Sequence, residues 1–160
     1  MSQYHDLASQ KLPLISVLVL TYRHAKFIRQ CLDGIFAQQT DFPFEVVIGD
    51  DGSDDGTSEI CREYQRRYPD QVRLFVYDRT ADRSAYPGGP GRYNFMQTFP
   101  QVRGDFIALC EGDDYWTDLN KLQVQVAFLI ANPGFSACFH AVVVDTPQGL
   151  KPDMITKVDK

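Results

Sequence analysis

Leu14 to Leu20 read LISVLVL, an apolar and largely β-branched run of strand length. A strand with one wet face alternates polar and apolar residues, whereas one covered on both faces does not. The run therefore predicts a buried strand of a parallel sheet. After Thr21-Tyr22-Arg23-His24 the spacing changes: Ile28, Cys31, Leu32, Ile35 and Phe36 fall at i, i+3, i+4, i+7 and i+8, which predicts an amphipathic helix packed on that sheet.

The rhythm continues along the chain. Phe44 to Gly49 predicts a second strand, and Asp50 to Gly56 a polar turn. Thr57 is placed as the N-cap of a helix carrying Ile60, Cys61, Tyr64 and Tyr68. Val72 to Tyr77 predicts a third strand, Tyr86 to Gly91 a Gly/Pro loop, and Asn94 to Phe99 the start of a short helix. Asp105 to Cys110 predicts a fourth strand, Leu119 to Ile130 a helix closed by Asn132-Pro133-Gly134, and Phe135 to Val144 a fifth strand. The expectation is an α/β fold, a mostly parallel sheet flanked by helices, with ligands at the C-terminal ends of the strands. Residues 1–12 are expected to be a flexible segment, 13–145 the domain, and 146–160 a loop or tail.

Composition narrows the function. The 160 residues carry 16 Lys+Arg against 21 Asp+Glu, a net charge of −5 with no basic run, which argues against nucleic acid or an anionic membrane as main partner. No apolar run approaches the ~20 residues that span a bilayer, and Met1 to Gln10 lack the order of a signal peptide. The expected location is the cytoplasm, alone or against the inner face of the membrane. Cys31, Cys61, Cys110 and Cys138 are widely spaced with no CxxC, so buried reduced thiols are expected rather than zinc or redox chemistry.

Both acidic clusters directly follow buried strands. Asp50-Asp51-Gly52-Ser53-Asp54-Asp55-Gly56-Thr57 can bind a polar ligand, and Asp51 is the member hardest to explain as a turn residue, because adjacent carboxylates after an apolar strand repel. Glu111-Gly112-Asp113-Asp114 offers hard oxygen ligands for Mg²⁺ or Mn²⁺ that leave positions open for a diphosphate. Thr21 and Tyr22 end the first strand, where the ring can stack on a base. Arg83 and Arg92 flank the Gly/Pro loop and can pair with phosphate. His24, His140 and Trp116 are weaker candidates, read as structural.

These residues resemble a known family. Ile15 to Tyr22, Val46 to Thr57 and Gly104 to Trp116, in that order, resemble the family 2 glycosyltransferases over roughly residues 13–145. The resemblance implies the GT-A (Rossmann-like) fold and an inverting, metal-dependent transfer from a nucleotide-diphosphate sugar, usually UDP-linked, to an acceptor hydroxyl of a saccharide, lipid or protein, a chemistry of cell-envelope polysaccharide synthesis. It places Tyr22 by the base, Asp51 as the acid accepting from it, and Asp113-Asp114 as the DXD-like pair. Asp114 would ligate the metal and Asp113 contact ribose or sugar. Asn94 matches an Asn that a basic residue usually precedes; here Tyr93 stands there and Arg92 is one position away. The family's catalytic base comes from a later segment, and none of Asp145, Asp153 and Asp159 stands in a recognisable base motif, so no catalytic residue is assigned and the chain is expected to be a C-terminally truncated donor half. An uncovered sheet edge would then invite a homodimer by strand pairing. A receiver-like regulatory domain and a nucleotidyltransferase are the alternatives. The first usually carries a Lys after its last strand and the second a Gly-rich basic loop after its first, and neither is present. A dinucleotide-binding domain is disfavoured by the absence of GxGxxG.

Overall fold

The computed structural model describes residues 13–86 and 88–152. The expected flexible segment, 1–12, and residues 153–160 of the tail lie outside the described residues. The chain divides into two compact units, residues 1–124 and 125–160.

In the first unit, β1 (Ile15–Thr21), β2 (Phe44–Asp50), β3 (Val72–Val76) and β4 (Phe106–Glu111) form a four-stranded sheet in the order β3-β2-β1-β4. Every pairing is parallel. The strands alternate with α1 (Ile28–Phe36), α2 (Thr57–Arg67) and α3 (Pro90–Thr98), the last running into a 3₁₀ turn at Phe99–Gln101, and α4 (Lys121–Ala131) follows β4. β1 and β2 are the central strands and are buried almost throughout, as their largely apolar sequences require. Their register sets Val17 beside Val46 and Val19 beside Ile48. The stripe of α1 named from its spacing is also buried: Ile28, Cys31, Leu32 and Ile35. Each such side chain contributes about 1.5–3 kcal/mol by leaving water. At the far end of the sheet from the candidate site, buried Glu45 accepts from Ser16 Oγ (2.7 Å) and from the Arg103 backbone N–H (2.8 Å), which pins the entry of β4 beside β1.

β4 closes the sheet and is an edge strand among the described strands. Ile107 and Leu109 are exposed on it, Leu109 at 62%.

Four expectations are corrected. Thr57 is not the N-cap of α2: Gly56 is, at φ 103°, while Asp55 accepts from the Thr57 N–H (3.1 Å) and hydroxyl (2.6 Å). Phe135 to Val144 is not a fifth strand of the sheet. Val143–Thr146 (β5) pairs antiparallel with Gly149–Pro152 (β6), a local hairpin in the second unit. Pro147 suits the first corner of the turn and Gly149, at φ 107°, its exit, so the chain finds a partner a few residues away. The start of the tail is therefore a strand rather than a loop. α3 begins at Pro90, earlier than Asn94, because proline is well suited to a first helical turn.

Candidate functional site

The order β3-β2-β1-β4 reverses direction at β1, and in open α/β sheets the crevice for ligands lies beyond the carboxyl ends of the strands at that point. Three backbone links shape this end. The Asp51 N–H donates to the Thr21 carbonyl (3.0 Å). The side-chain amide of Asn94, on α3, donates to the Gly49 carbonyl (2.8 Å) and to that of Thr21 (3.4 Å). The Arg23 N–H donates to Ser53 Oγ (2.9 Å). Asn94 approaches so closely because Gly49 has no side chain: a Cβ there would lie 2.3 Å from Asn94 Oδ1. Arg23 is the one non-glycine residue with positive φ (56°) among the described residues, and its guanidinium holds the exposed Asp54 carboxyl below the usual carboxylate range, first through their hydrogen bonds of 2.7 and 2.6 Å.

The two adjacent acids after β2 have separate roles. Asp50 is fully buried and accepts from the Ser53 N–H (3.2 Å), the Ser53 hydroxyl (2.5 Å) and the Ser58 hydroxyl, so it builds the turn. Asp51, 2% exposed, faces two arginines from the loop after β3. Arg79 Nη1 donates to its Oδ2 at 2.7 Å. Arg83 Nη1 lies 2.7 Å from Oδ1, close enough to pair charge, yet no N–H is aimed at that oxygen. Oδ1 is thus a buried acceptor without a donor, and Arg83 Nε is a buried donor without an acceptor.

Aromatic rings hold both arginines in place. Arg79 Cζ lies 3.9 Å from the centre of the Tyr22 ring and Arg83 Cζ 4.1 Å from that of Tyr93. Tyr93 meets Tyr86 and Tyr77 edge-on at 5.2 and 5.9 Å. Gly52 admits Arg79, since a Cβ there would come within 3.1 Å of Arg79 Cγ. Arg83 lies at ion-pair distance from the Asp51 carboxylate. Arg92 lies along the cleft and is exposed. Arg79 was missed by sequence reasoning; its signal was its place in a loop leaving the C-terminal end of a strand.

The second acidic cluster turns directly after β4. Glu111 and Asp114 both have carboxyl groups raised above the usual range, by burial first and then by the neighbouring carboxylates. Asp113 is half exposed, with His24 Nε2 3.8 Å from its Oδ2. Gly112 packs on Thr21 and His24: a Cβ would lie 2.7 Å from Thr21 Oγ1 and 2.9 Å from His24 Nδ1. Among the described residues no three of His, Cys, Asp and Glu form a ready cage for a metal. Mg²⁺-type ions are commonly held by one or two carboxylates together with substrate phosphates, so oxygen ligands that repel one another fit a cation delivered with a diphosphate. Beneath this turn, Cys31 and Cys110 are buried with sulfurs 3.7 Å apart, and the Cys31 thiol is raised by its hydrogen bond to Cys110 and by burial, which suits inert packing.

A cleft of about 510 Å³ joins the parts, with Thr21, Tyr22, Asp51, Arg92 and Asn94 along it and Glu111 on its border. One cavity therefore touches both acidic clusters. The sequence matches the profile described as Glycosyl transferase family 2 over residues 16–156. This chain belongs to glycosyl transferase family 2. An uncharacterized protein of Mycobacterium tuberculosis is 41% identical over 137 residues, covering 86% of this chain and 37% of its own length. Staphylococcus aureus TarS (residues 1–349), solved with UDP-GlcNAc, is 30% identical with a TM-score of 0.57, covering 74% of this chain and 32% of that structure. The mannosyltransferase PcManGT of Pyrobaculum calidifontis, solved with GDP-Man and Mn²⁺, is 28% identical with a TM-score of 0.58, covering 75% and 33%. The fold is that of GT-A glycosyltransferases, and the chain spans about a third of the length of these relatives. No helix among the described residues is long and apolar enough to cross a membrane.

Proposed function

We propose that this chain is the donor-binding part of an inverting glycosyltransferase that takes a sugar from a UDP-linked donor to an acceptor hydroxyl. The observation that carries the reading is the shared cleft: Asp51 and Tyr22 lie along one side, and Glu111, heading the acidic turn, borders it. A nucleotide-diphosphate sugar needs an aromatic and a buried acceptor at its base end and a cation site at its diphosphate end. TarS, bound to UDP-GlcNAc, supports the class of donor.

In this reading Tyr22 and Asp51 hold the base, Thr21 lines the floor, Arg92 faces the phosphates, Asp113 contacts ribose or sugar, and Asp114 ligates Mg²⁺ or Mn²⁺. Such an ion, when bound, offsets the negative charge that builds on the leaving diphosphate. Asn94 fixes the spacing of β1 and β2 beneath the base. Arg79, through Asp51, keeps the acceptor oxygen in place. The acceptor's proton goes to a base that no described residue is placed to supply. The exposed edge of β4 fits pairing with a second copy, which the mass of the protein in solution reads directly.

Calorimetric titration of UDP with Mn²⁺, then with chelator, tests the reading. Metal-dependent binding that Asp114→Asn removes is expected. Absence of binding under both conditions would overturn it.

A further inference from the structure

Asp113 and Asp114 stand in a stretch, residues 112–120, that is neither helix nor strand and runs from the end of β4 to the start of α4. At its near end the Gly112 N–H donates to the Leu20 carbonyl (2.8 Å), and the Asp114 N–H closes a turn on the Glu111 carbonyl (3.0 Å). Its far end is held from the exit of α1. Gln38, two residues beyond that helix and only 8% exposed, donates its amide N–H to the Asp118 carbonyl (2.7 Å) and accepts the Leu122 N–H on its amide oxygen (3.0 Å). Resting on the reading that the cleft takes a nucleoside diphosphate whose cation Asp114 ligates, we infer that Gln38 is a positioning residue: by fixing residues 118–122 it sets where Asp114 stands at the cleft.

An amide suits this hold. It carries an acceptor oxygen and two N–H donors on one planar group, so a single side chain can meet both a carbonyl and an N–H of the same stretch. Leu122 lies in the first turn of α4, where a backbone N–H has no partner within its own helix, and Gln38 supplies from another element what an N-cap supplies from the same one. The amide nitrogen also lies 3.4 Å from the Gly34 carbonyl, which ties the contact back to α1. Two further features follow the same seam. The Gln39 N–H donates to the Leu119 carbonyl (2.8 Å), and Gly34 makes room for the backbone of Trp116: a Cβ there would lie 2.9 Å from the Trp116 carbonyl oxygen and 3.2 Å from its nitrogen.

The acidic turn needs such an anchor because its own groups push it apart. Glu111 and Asp114 have carboxyl groups raised by burial first and then by the neighbouring carboxylates. Charges that repel spread as far as the backbone lets them, whereas a cation needs them close, and a misplacement of about 1 Å can cost about 10²-fold in a reaction. Tyr22 and Asp51 follow β1 and β2, while the hydrogen bonds of Gln38 go to residues 34, 118 and 122. Loss of the Gln38 amide therefore reaches the cation end of the cleft and spares the base end.

The experiment titrates UDP, in Mn²⁺ and in chelator, into the unmodified protein, Gln38→Met and Gly34→Ala, each checked by its melting temperature. The emission of Trp116, the single tryptophan of the chain, is recorded without ligand. Methionine keeps the bulk of Gln38 without its hydrogen bonds. Alanine at position 34 pushes on Trp116 with Gln38 intact and gains helix propensity, so it decides the matter even where Gln38→Met does not fold. Each variant is expected to keep its UDP affinity in chelator within about twofold and to lose about tenfold in Mn²⁺, with Trp116 emission moved to longer wavelength. A lower melting temperature with an unchanged ratio of the two affinities would overturn the inference, since Gln38 would then serve the fold alone. Equal losses with and without Mn²⁺, or an unmoved Trp116 emission, would overturn it as well, and all three outcomes leave the donor-site reading intact. Absence of binding by the unmodified protein under both conditions overturns that reading and the inference together.

Discussion

Asp50 and Asp51 share a peptide bond but no side-chain partners: Asp50 is held by Ser53 of its own turn and Ser58 of α2, and Asp51 by Arg79 and Arg83 from beyond β3. One acid builds the turn and the other is presented by it. The pair that looked like a single motif in the sequence is a residue that builds its own turn followed by one that pairs with a distant loop.

Substitutions should separate the two roles. Asp50→Ala takes the acceptor from the Ser53 N–H and hydroxyl and leaves the buried Ser58 hydroxyl only the Ser53 carbonyl at 3.3 Å, and each buried donor left unpaired costs about 1–3 kcal/mol. We expect chemical denaturation to show a loss of about 2–4 kcal/mol. Asp51→Asn keeps shape but turns part of the acceptor into a donor, so UDP affinity should fall at least about tenfold while most of the stability remains. Equal effects of the two on stability and on binding would argue against this division.

Asn94 is the next residue whose loss should be felt at a distance. Its amide holds the Gly49 carbonyl at 2.8 Å and the Thr21 carbonyl at 3.4 Å, joining the ends of β1 and β2 at the floor of the cleft. Asn94→Ala should cost about 1–3 kcal/mol and weaken nucleotide binding with and without metal alike. A loss confined to the metal-dependent part would place Asn94 at the diphosphate instead.

Gly112 makes the converse case, a position with no room. A Cβ there would meet Thr21 Cβ at 2.8 Å and His24 Nδ1 at 2.9 Å, so Gly112→Ala must shift β1's end or the acidic turn. Overpacking of this kind costs about 1–3 kcal/mol, and metal-dependent UDP binding should fall with it. Gly134, whose added Cβ would meet nothing within 4 Å, is the control and should tolerate alanine.

The parts of this fold that were legible are those that local pattern decides. β1 and β2 are covered on both faces, so their sequences are apolar without alternation, and α1 carries its buried stripe at helical spacing. Phe135 to Val144 has the same apolar look, but its pairing depended on a turn at Pro147 and Gly149 that a short-range reading gives little weight. Asp51 was legible because crowded acids after a strand are costly. Arg79 was not, because its role comes from a contact with a residue 28 positions away and nothing in its own neighbours marks it.

The acidic turn carries a pH dependence whose sign follows from its crowding. Glu111 and Asp114 have carboxyl groups raised by burial and by their neighbours, so the folded chain holds protons more tightly than the unfolded one between the usual carboxylate range and the raised values. Stability must then fall as pH rises through that window, and the penalty is complete above it. In chelator, Asp114→Asn and Glu111→Gln should each raise the melting temperature at neutral pH. The gain should vanish at pH values below the usual carboxylate range, where the native side chains are protonated as well. With Mn²⁺ and UDP present the order should reverse for Asp114, because the native carboxylate then gains a ligand-bound cation that asparagine holds poorly. Melting curves of the three proteins across pH, with and without metal and nucleotide, check this. A gain for Asp114→Asn that persists in acid would show that repulsion among these carboxylates is not its source.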